Sequence, residues 1–435
     1  MRKGLYDQIL KNNLFGKIAI IGLIAFFFVA STNFTYATSQ WSRKTGMACN
    51  YCHTVFPRLN LAGDQFLKNG YVLGKPDKKD YSINAGGVSL SDVSQLFGFR
   101  LNVTPFMYAT NSFLQDSGKD KSGLLTIGNP NWIQFFVAGS IYNNISFFTE
   151  LEYASGGFKF NWFYFNFTNL LSTSYLNLQV GNISPLEFAS YPNRLPQLPA
   201  IKGEVFLKKS SNGGGETSVD MSSARPGLQY FGYNDYGTLY LGASPVIIKN
   251  SLALTQFQNF WGGLVLNVPE SISKDLEGST VTLHYYTGTD TKNTGVTVPD
   301  KAQIENKFTR ISPQLNIRYR NMFDLQAAYV MAEDENWDLA ATKPADKFKY
   351  SGLAVEAGFM PNDEWHFALH YDKFNSDDKV AATGKYIFEY QRVVPVITYI
   401  INQNIRMSLY YEKELSDKDA KELIDRISMN MRVMF

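Results

Sequence analysis

From about residue 95 to the end of the chain, apolar and polar side chains alternate in one segment after another. The last segment is the clearest. Ile427, Met429, Met431, Val433 and Phe435 fall on one face, and Arg426, Ser428, Asn430 and Arg432 on the other. Trp365, Phe367, Leu369 and Tyr371 alternate in the same way with Glu364, His366, Ala368, His370 and Asp372. Phe97, Phe99, Leu101 and Val103 alternate with Gly98, Arg100, Asn102 and Thr104. Side chains on a strand point to opposite faces in turn, so each segment offers one apolar and one wet surface. The pattern predicts about sixteen strands. They cover 95–107, 131–141, 144–154, 158–168, 174–183, 226–232, 237–247, 256–267, 279–287, 308–320, 323–333, 349–360, 363–373, 386–401, 404–413 and 423–435.

The connections carry a second pattern. Long polar stretches (108–130, 184–225, 288–307, 334–348, 374–385, 414–422) alternate with tight turns at Asn143–Asn144, Asn321–Met322, Pro361–Asn362 and Asn402–Gln403. Short periplasmic turns and long external loops belong to transmembrane barrels. Two connections, 155–157 and 248–255, are short on the side that should be long. A soluble β-sandwich would give similar alternation strand by strand. The even strand count, the loop asymmetry and the terminal Phe435 favour an all-β outer-membrane barrel. Its even strand number puts both barrel ends on the periplasmic side, and its lumen is wide enough to hold a plug.

Composition agrees, with 15% aromatic residues and no apolar stretch after the leader long enough for a helical span. Residues 1–37 read as a signal peptide: Arg2, Lys3, Lys11 and Lys17 precede the apolar run 18–30, and Thr35 and Ala37 suit cleavage after Ala37. That run is short for a membrane anchor, although an uncleaved anchor is the competing reading. Removing the leader takes away four basic residues and Asp7, so the formal charge of +2 falls to −1. No basic patch points to nucleic acid. The chain divides into the signal peptide, a small segment 38–90 and a barrel 91–435. About fifty residues make too small a core to stand alone, so the small segment should dock on something. Within it, 57–70 reads as a short helix opened by Pro57 and closed by Gly70.

The small segment also holds the chemistry. The only two cysteines, Cys49 and Cys52, stand in CNYCH (49–53). Two thiols at this spacing can add across the vinyl groups of haem, and His53 then lies beneath the iron as its proximal ligand. A redox pair would be expected near a βαβ pattern, and a structural zinc site needs four ligands. Neither is evident, so one covalently attached haem c is expected, in a monohaem cytochrome fused to a porin.

Residues 41–74, WSRKTGMACNYCHTVFPRLNLAGDQFLKNGYVLG, resemble the fused cytochrome–porin family of outer-membrane iron oxidases. The likeness lies in Lys44–Met47 before the first cysteine, then Phe56-Pro57, Leu59-Asn60, Gly63 and Gly70-Tyr71. It implies a cytochrome set into the porin lumen, passing electrons from extracellular Fe(II) or another donor to a periplasmic carrier.

The sixth iron position is open to several readings. No Met or further His lies between His53 and Met107, and Met47 is too close to the first cysteine to be a good ligand. His284, His366 and His370 fall on wet faces and are the distal candidates, with Met107 and Met360 weaker. On one strand His366 and His370 would stand about 13 Å apart, so both cannot bind one iron. A lysine or an open position is the remaining choice. Glu150, Glu152 and Glu356 should point inward, and Glu333, Asp334, Glu335 and Asp338 cluster near the outer mouth, where solvated loops are acidic anyway. The loop 184–225 carries Gly213-Gly214-Gly215 without a following Lys-Ser/Thr, so it is not a phosphate loop and either folds inward or stays outside. Two other functional readings stand beside electron transfer: a diffusion porin with a haem plug or sensor, and a haem enzyme acting on a small oxidant.

Overall fold

A computed structural model of the chain describes residues 40–54, 58–73, 96–111, 124–142, 144–154, 157–191, 221, 224–248, 251–292, 304–335, 347–376, 390–415 and 424–434. The leader 1–37, Pro57, Gly213–Gly215, Asp338 and Phe435 lie outside these residues.

Each of the sixteen expected segments is a strand. They run β1 Phe97–Asn111, β2 Leu124–Tyr142, β3 Ile145–Ala154, β4 Gly157–Phe167, β5 Asn177–Ile183, β6 Arg225–Asn234, β7 Gly237–Ile248 and β8 Ser251–Asn267. The second half comprises β9 Thr280–Lys292, β10 Ile304–Tyr319, β11 Phe323–Asp334, β12 Phe348–Phe359, β13 Trp365–Ser376, β14 Tyr390–Asn402, β15 Ile405–Glu414 and β16 Ile424–Met434. Every strand pairs antiparallel with its sequence neighbours, and β16 closes on β1, with Leu101 opposite Val433. Closure leaves no open edge.

The alternation is inside-out, which removes the sandwich reading. On β9, Val281 and Leu283 are 58% and 59% exposed, whereas the neighbouring Thr282 and His284 are 1% and 0% exposed. Apolar residues face outward and polar ones inward, as a barrel in lipid requires. Several strands outrun their expected limits on the long-loop side, as β8, β9 and β10 do. A hairpin that projects past the hydrocarbon meets water on both faces, so alternation need not mark its outer end. The two short connections on that side are tight hairpins, with Ala154 opposite Gly157 and Ile248 opposite Ser251.

Among the described residues ahead of the barrel are three short helices, α1 Gln40–Thr45, α2 Cys49–Cys52 and α3 Leu61–Lys68. The expected start at Pro57 is corrected: α3 begins at Leu61, because Asn60 caps it by accepting from the Gly63 amide at 3.0 Å. Such a cap is worth about 1 kcal/mol. Gly70 follows the helix in the left-handed region (φ 69°), which suits glycine.

This segment touches inward side chains on opposite walls. Tyr71 Oη lies 2.9 Å from Tyr164 Oη on β4, and Arg58 reaches Asp324 on β11 (3.2 Å) and Glu356 on β12 (3.6 Å). In a ring of sixteen, β4 and β12 are diametrically opposed, so the segment lies in the lumen. Arg318 on β10 adds bonds to the Leu59 carbonyl (2.8 Å) and Asp64 (2.9 Å). Phe66, Leu67 and Tyr71 are buried against Phe148 and Tyr164, each such burial worth about 1.5–3 kcal/mol. Residues 184–191 also turn inward, and all are buried. The Ser190 amide donates to Thr282, and the Tyr191 amide to Gln314. Of the two readings for this loop, the inward one holds for its described start.

Candidate functional site

The cysteine motif is built by short-range hydrogen bonds. Cys49–Cys52 makes one helical turn, and the His53 amide closes it on the Cys49 carbonyl at 3.0 Å. The chain then doubles back: Thr54 N donates to Arg58 O, and Asn60 N to Cys52 O. The Asn60 side chain donates to the Asn50 and Tyr51 carbonyls, so the residue that caps α3 also holds the motif. Gly63 is pressed against it, since a Cβ there would stand 2.2 Å from Cys52 O.

Cys49, Cys52 and His53 open onto one cavity of about 1180 Å³, partly open to solvent. Trp41, Phe66 and Tyr71 wall it from the segment, and Phe99, Phe136 and Phe148 from β1–β3. Trp41 stacks on Tyr71 at 5.1 Å. Polar groups are few: Gln40, Arg100 and Glu150 are among them. A second space of about 940 Å³ shares Cys49, His53 and Met434 and adds Met360, Arg406 and Arg432. Cys49 Sγ is 3.6 Å from the Gln403 carbonyl in the β14–β15 turn, so the motif sits at the short-turn end of the barrel.

The cavity suits a largely apolar group with a few polar anchors. Inside it, Trp41 Nε1 and Gln40 Oε1 are buried without a hydrogen-bond partner among the described residues. Burial, then the neighbouring Cys49, pushes the Cys52 thiol up to about 11. A redox-active pair needs a lowered thiol pKa, so this environment argues against that alternative. Among the described residues no three His, Cys, Asp or Glu side chains gather as a metal site.

None of the three distal histidine candidates lines either space. His284 Nδ1 is bonded to Tyr240 Oη at 2.8 Å. His370 stands between Glu356 (3.4 Å) and Asp372 (3.3 Å), and His366 is buried on the same strand. Of the methionines weighed from sequence, Met107 lies against Arg426, Met360 lines the second space and Met47 the first. Sequence reasoning passed over Met434, which lines both. Its signal was available, because parity with Arg432 turns it inward. Glu150 and Glu356 point inward as the alternation predicts, both being buried. Two members of the acidic cluster are neutralised locally: Asp334 is buried against Arg310 at 2.7 Å, and Glu333 lies between Lys347 and Lys349.

No family profile matches the chain, and neither does any curated protein sequence. Solved structures do match. The chain is similar to the anion-selective porin from Comamonas acidovorans, with TM-score 0.52 and 10% identity over 78% of this chain and 99% of that one. It is also similar to Salmonella typhi OmpF, solved with daunomycin, with TM-score 0.50 and 12% identity over 78% of this chain and 97% of that one. The fold is that of a sixteen-stranded outer-membrane porin.

Proposed function

We propose that this chain is an electron-transfer protein of the bacterial outer membrane, carrying one haem c on Cys49, Cys52 and His53 in a porin-type barrel. The observation that carries the reading is that these three residues line one largely apolar cavity. Bound there, haem would supply reversible one-electron chemistry at its iron. The chain would supply placement: two thiols for attachment, the His53 imidazole, and aromatic side chains for the group to lie against. Met434 and Met47 are the thioethers that line the cavity, and Met434, rather than a wall histidine, would help to hold the group there.

Short turns face the periplasm in such barrels. The motif is then at the periplasmic mouth, within reach of a soluble carrier. The outer leaflet lies a hydrocarbon thickness of about 30 Å away. An extracellular reductant such as Fe(II) would therefore give up its electron from within the lumen, and the oxidised ion would leave the way it came. The test is anaerobic stopped-flow mixing of the purified protein with Fe(II). Rapid appearance of a reduced c-haem spectrum is expected. Haem reduced by dithionite but not by Fe(II) removes iron as the donor, and a preparation without covalent haem removes the whole reading.

A diffusion porin is the second reading, favoured by the likeness to solved porins. It requires solute flux past residues 40–73 and 184–191, so single-channel conductance separates the two.

A further inference from the structure

The cation that pins the segment shares its carboxylate with a histidine of the wall. Glu356 on β12 is buried, and its two oxygens face different partners. Oε1 lies 3.6 Å from Nη1 of Arg58, which arrives with the segment. Oε2 lies 3.4 Å from Nδ1 of His370, the residue paired directly opposite on β13. The other ring nitrogen of His370 is 3.3 Å from Asp372, which also holds Arg392 at 2.8 Å. Both imidazole nitrogens face carboxylate oxygens, and only the protonated ring can donate to both.

A second histidine stands in the same field. His366 is buried on the same inward face of β13. The charges of Arg406 and Arg58 act on it, and Arg406 is itself drawn to Glu356. Across the sheet on β14, His370 is paired with Val394 and His366 with Thr398, neither of them charged. From the inward run, Tyr191 faces Glu356, Asp372, Arg58 and Arg392. A phenol is neutral below about pH 10, so Tyr191 adds no charge. On its other side Arg58 meets Asp324 at 3.2 Å and the Asn316 side chain at 3.2 Å. Asp324 in turn has Thr54 and Arg318 as neighbours.

We infer that acid loosens the docked segment: a proton on His370 or His366 opposes Arg58 at Glu356, so the lumen is a path that acid opens. The inference stands on the docking alone and holds with or without a bound group. Arg58 and an imidazolium are like charges set beside one buried carboxylate, and they repel each other. By reciprocity, a docked Arg58 weakens the binding of either proton, and either proton weakens the docking of Arg58. The docked segment therefore binds fewer protons than the released one, so docking is strongest at high pH and is lost as pH falls. Asp324 and Glu356 act with the same sign, because protonating them removes the anions of Arg58. Carboxylates do so only in their own, more acidic range, and the histidines bring the response toward neutral pH.

The experiment uses the full-length protein and its His370→Gln, His366→Gln and doubly substituted variants. Heat-modifiable migration on gels establishes that each barrel has closed. Two readouts are followed from about pH 8 to about pH 4, a range that spans imidazole and carboxylate titration. One is single-channel conductance in planar bilayers. The other is cleavage within 40–73, normalised at each pH to a denatured control. In the parent, cleavage is expected to quicken by about tenfold as pH falls through the imidazole range, with conductance rising in step. Each single variant should move the onset to lower pH, and the double variant should stay docked until the carboxylates titrate. A parent that stays docked throughout the imidazole range overturns the inference. So does a double variant with the parent's response, which would assign the effect to the carboxylates alone. Loosening as pH rises would make the His370 proton a support of docking, and the inference fails. Should a substituted barrel not close, the sign and pH range of the parent's two curves decide.

Discussion

Gly63 is the point at which α3 meets the cysteine motif, and a single methyl group tests the contact. A Cβ would lie 2.2 Å from the Cys52 carbonyl oxygen and 2.8 Å from Leu59 Cδ2, and the first of these is backbone that cannot swing aside. Gly63→Ala should lift α3 off the motif at a cost of about 1–3 kcal/mol. The haem-to-protein ratio is expected to fall while the barrel stays closed on gels, and a parent-like ratio would show that α3 has room to spare. The raised Cys52 thiol gives a second check. In haem-free protein its pKa near 11, set by burial and then by Cys49, leaves roughly two orders of magnitude less thiolate at pH 8 than a free thiol has. Iodoacetamide should label Cys52 slowly at pH 8 and faster with each unit up to about 11. Labelling at the rate of an unfolded control would place the thiol in water. At this scale Cys49, Cys52 and His53 stood out in the sequence because the covalent chemistry proposed for them fixes their spacing, and the structure brings the three to one cavity. Arg432 and Met434 were legible only as inward-facing, since nothing local in their strand says what stands opposite.

At the scale of elements, the strands were readable because lipid outside and a wet lumen inside force a two-residue period on every one of them. Their outer ends were not, since both faces are wet beyond the membrane. The start of α3 was misread because Pro57 and Asn60 are both good first-turn signals, and only the return of Asn60 to the Asn50 and Tyr51 carbonyls decides between them. The docking of the segment could not be read at all, because Arg58 finds its partners more than two hundred residues away. That anchor makes a prediction. Arg58 is 2% exposed, and Arg58→Ala leaves Asp324 and Glu356 facing each other without their cation. Breaking a buried pair from one side costs about 3–5 kcal/mol. The cost falls on docking, because the closed ring does not depend on Arg58. Proteolysis within 40–73 should quicken by about a hundredfold or more, with the strands still protected. Cleavage at the parent rate would mean that the aromatic contacts of Phe66 and Tyr71 suffice.

For the whole molecule the question is whether the barrel is a conduit for solutes or a housing for the segment inside it. Sixteen strands enclose a lumen that would conduct freely if empty. Here two layers cross it: the segment pinned between Tyr164 and Glu356, and the inward run 184–191 bonded to β9 and β10. The layers meet around a space lined by Arg58, Asp64, Lys68, Glu187 and Ser190. Ions crossing the barrel must pass both, so the parent protein should conduct far less than an open porin of equal strand number. Loosening the lower layer should reverse this. Arg58→Ala combined with Arg318→Ala removes the ion pairs to Asp324, Glu356 and Asp64, and single channels in planar bilayers are expected to show larger, noisier conductance. Arg320→Ala removes an exposed pair with Asp275 and a contact with the Tyr319 ring, both outside the plug, and should leave conductance unchanged. Full porin conductance in the parent would take the segment out of the lumen and return the chain to the diffusion reading. Low conductance that the double variant relieves would make the segment a resident plug, holding Cys49 and Cys52 at the mouth.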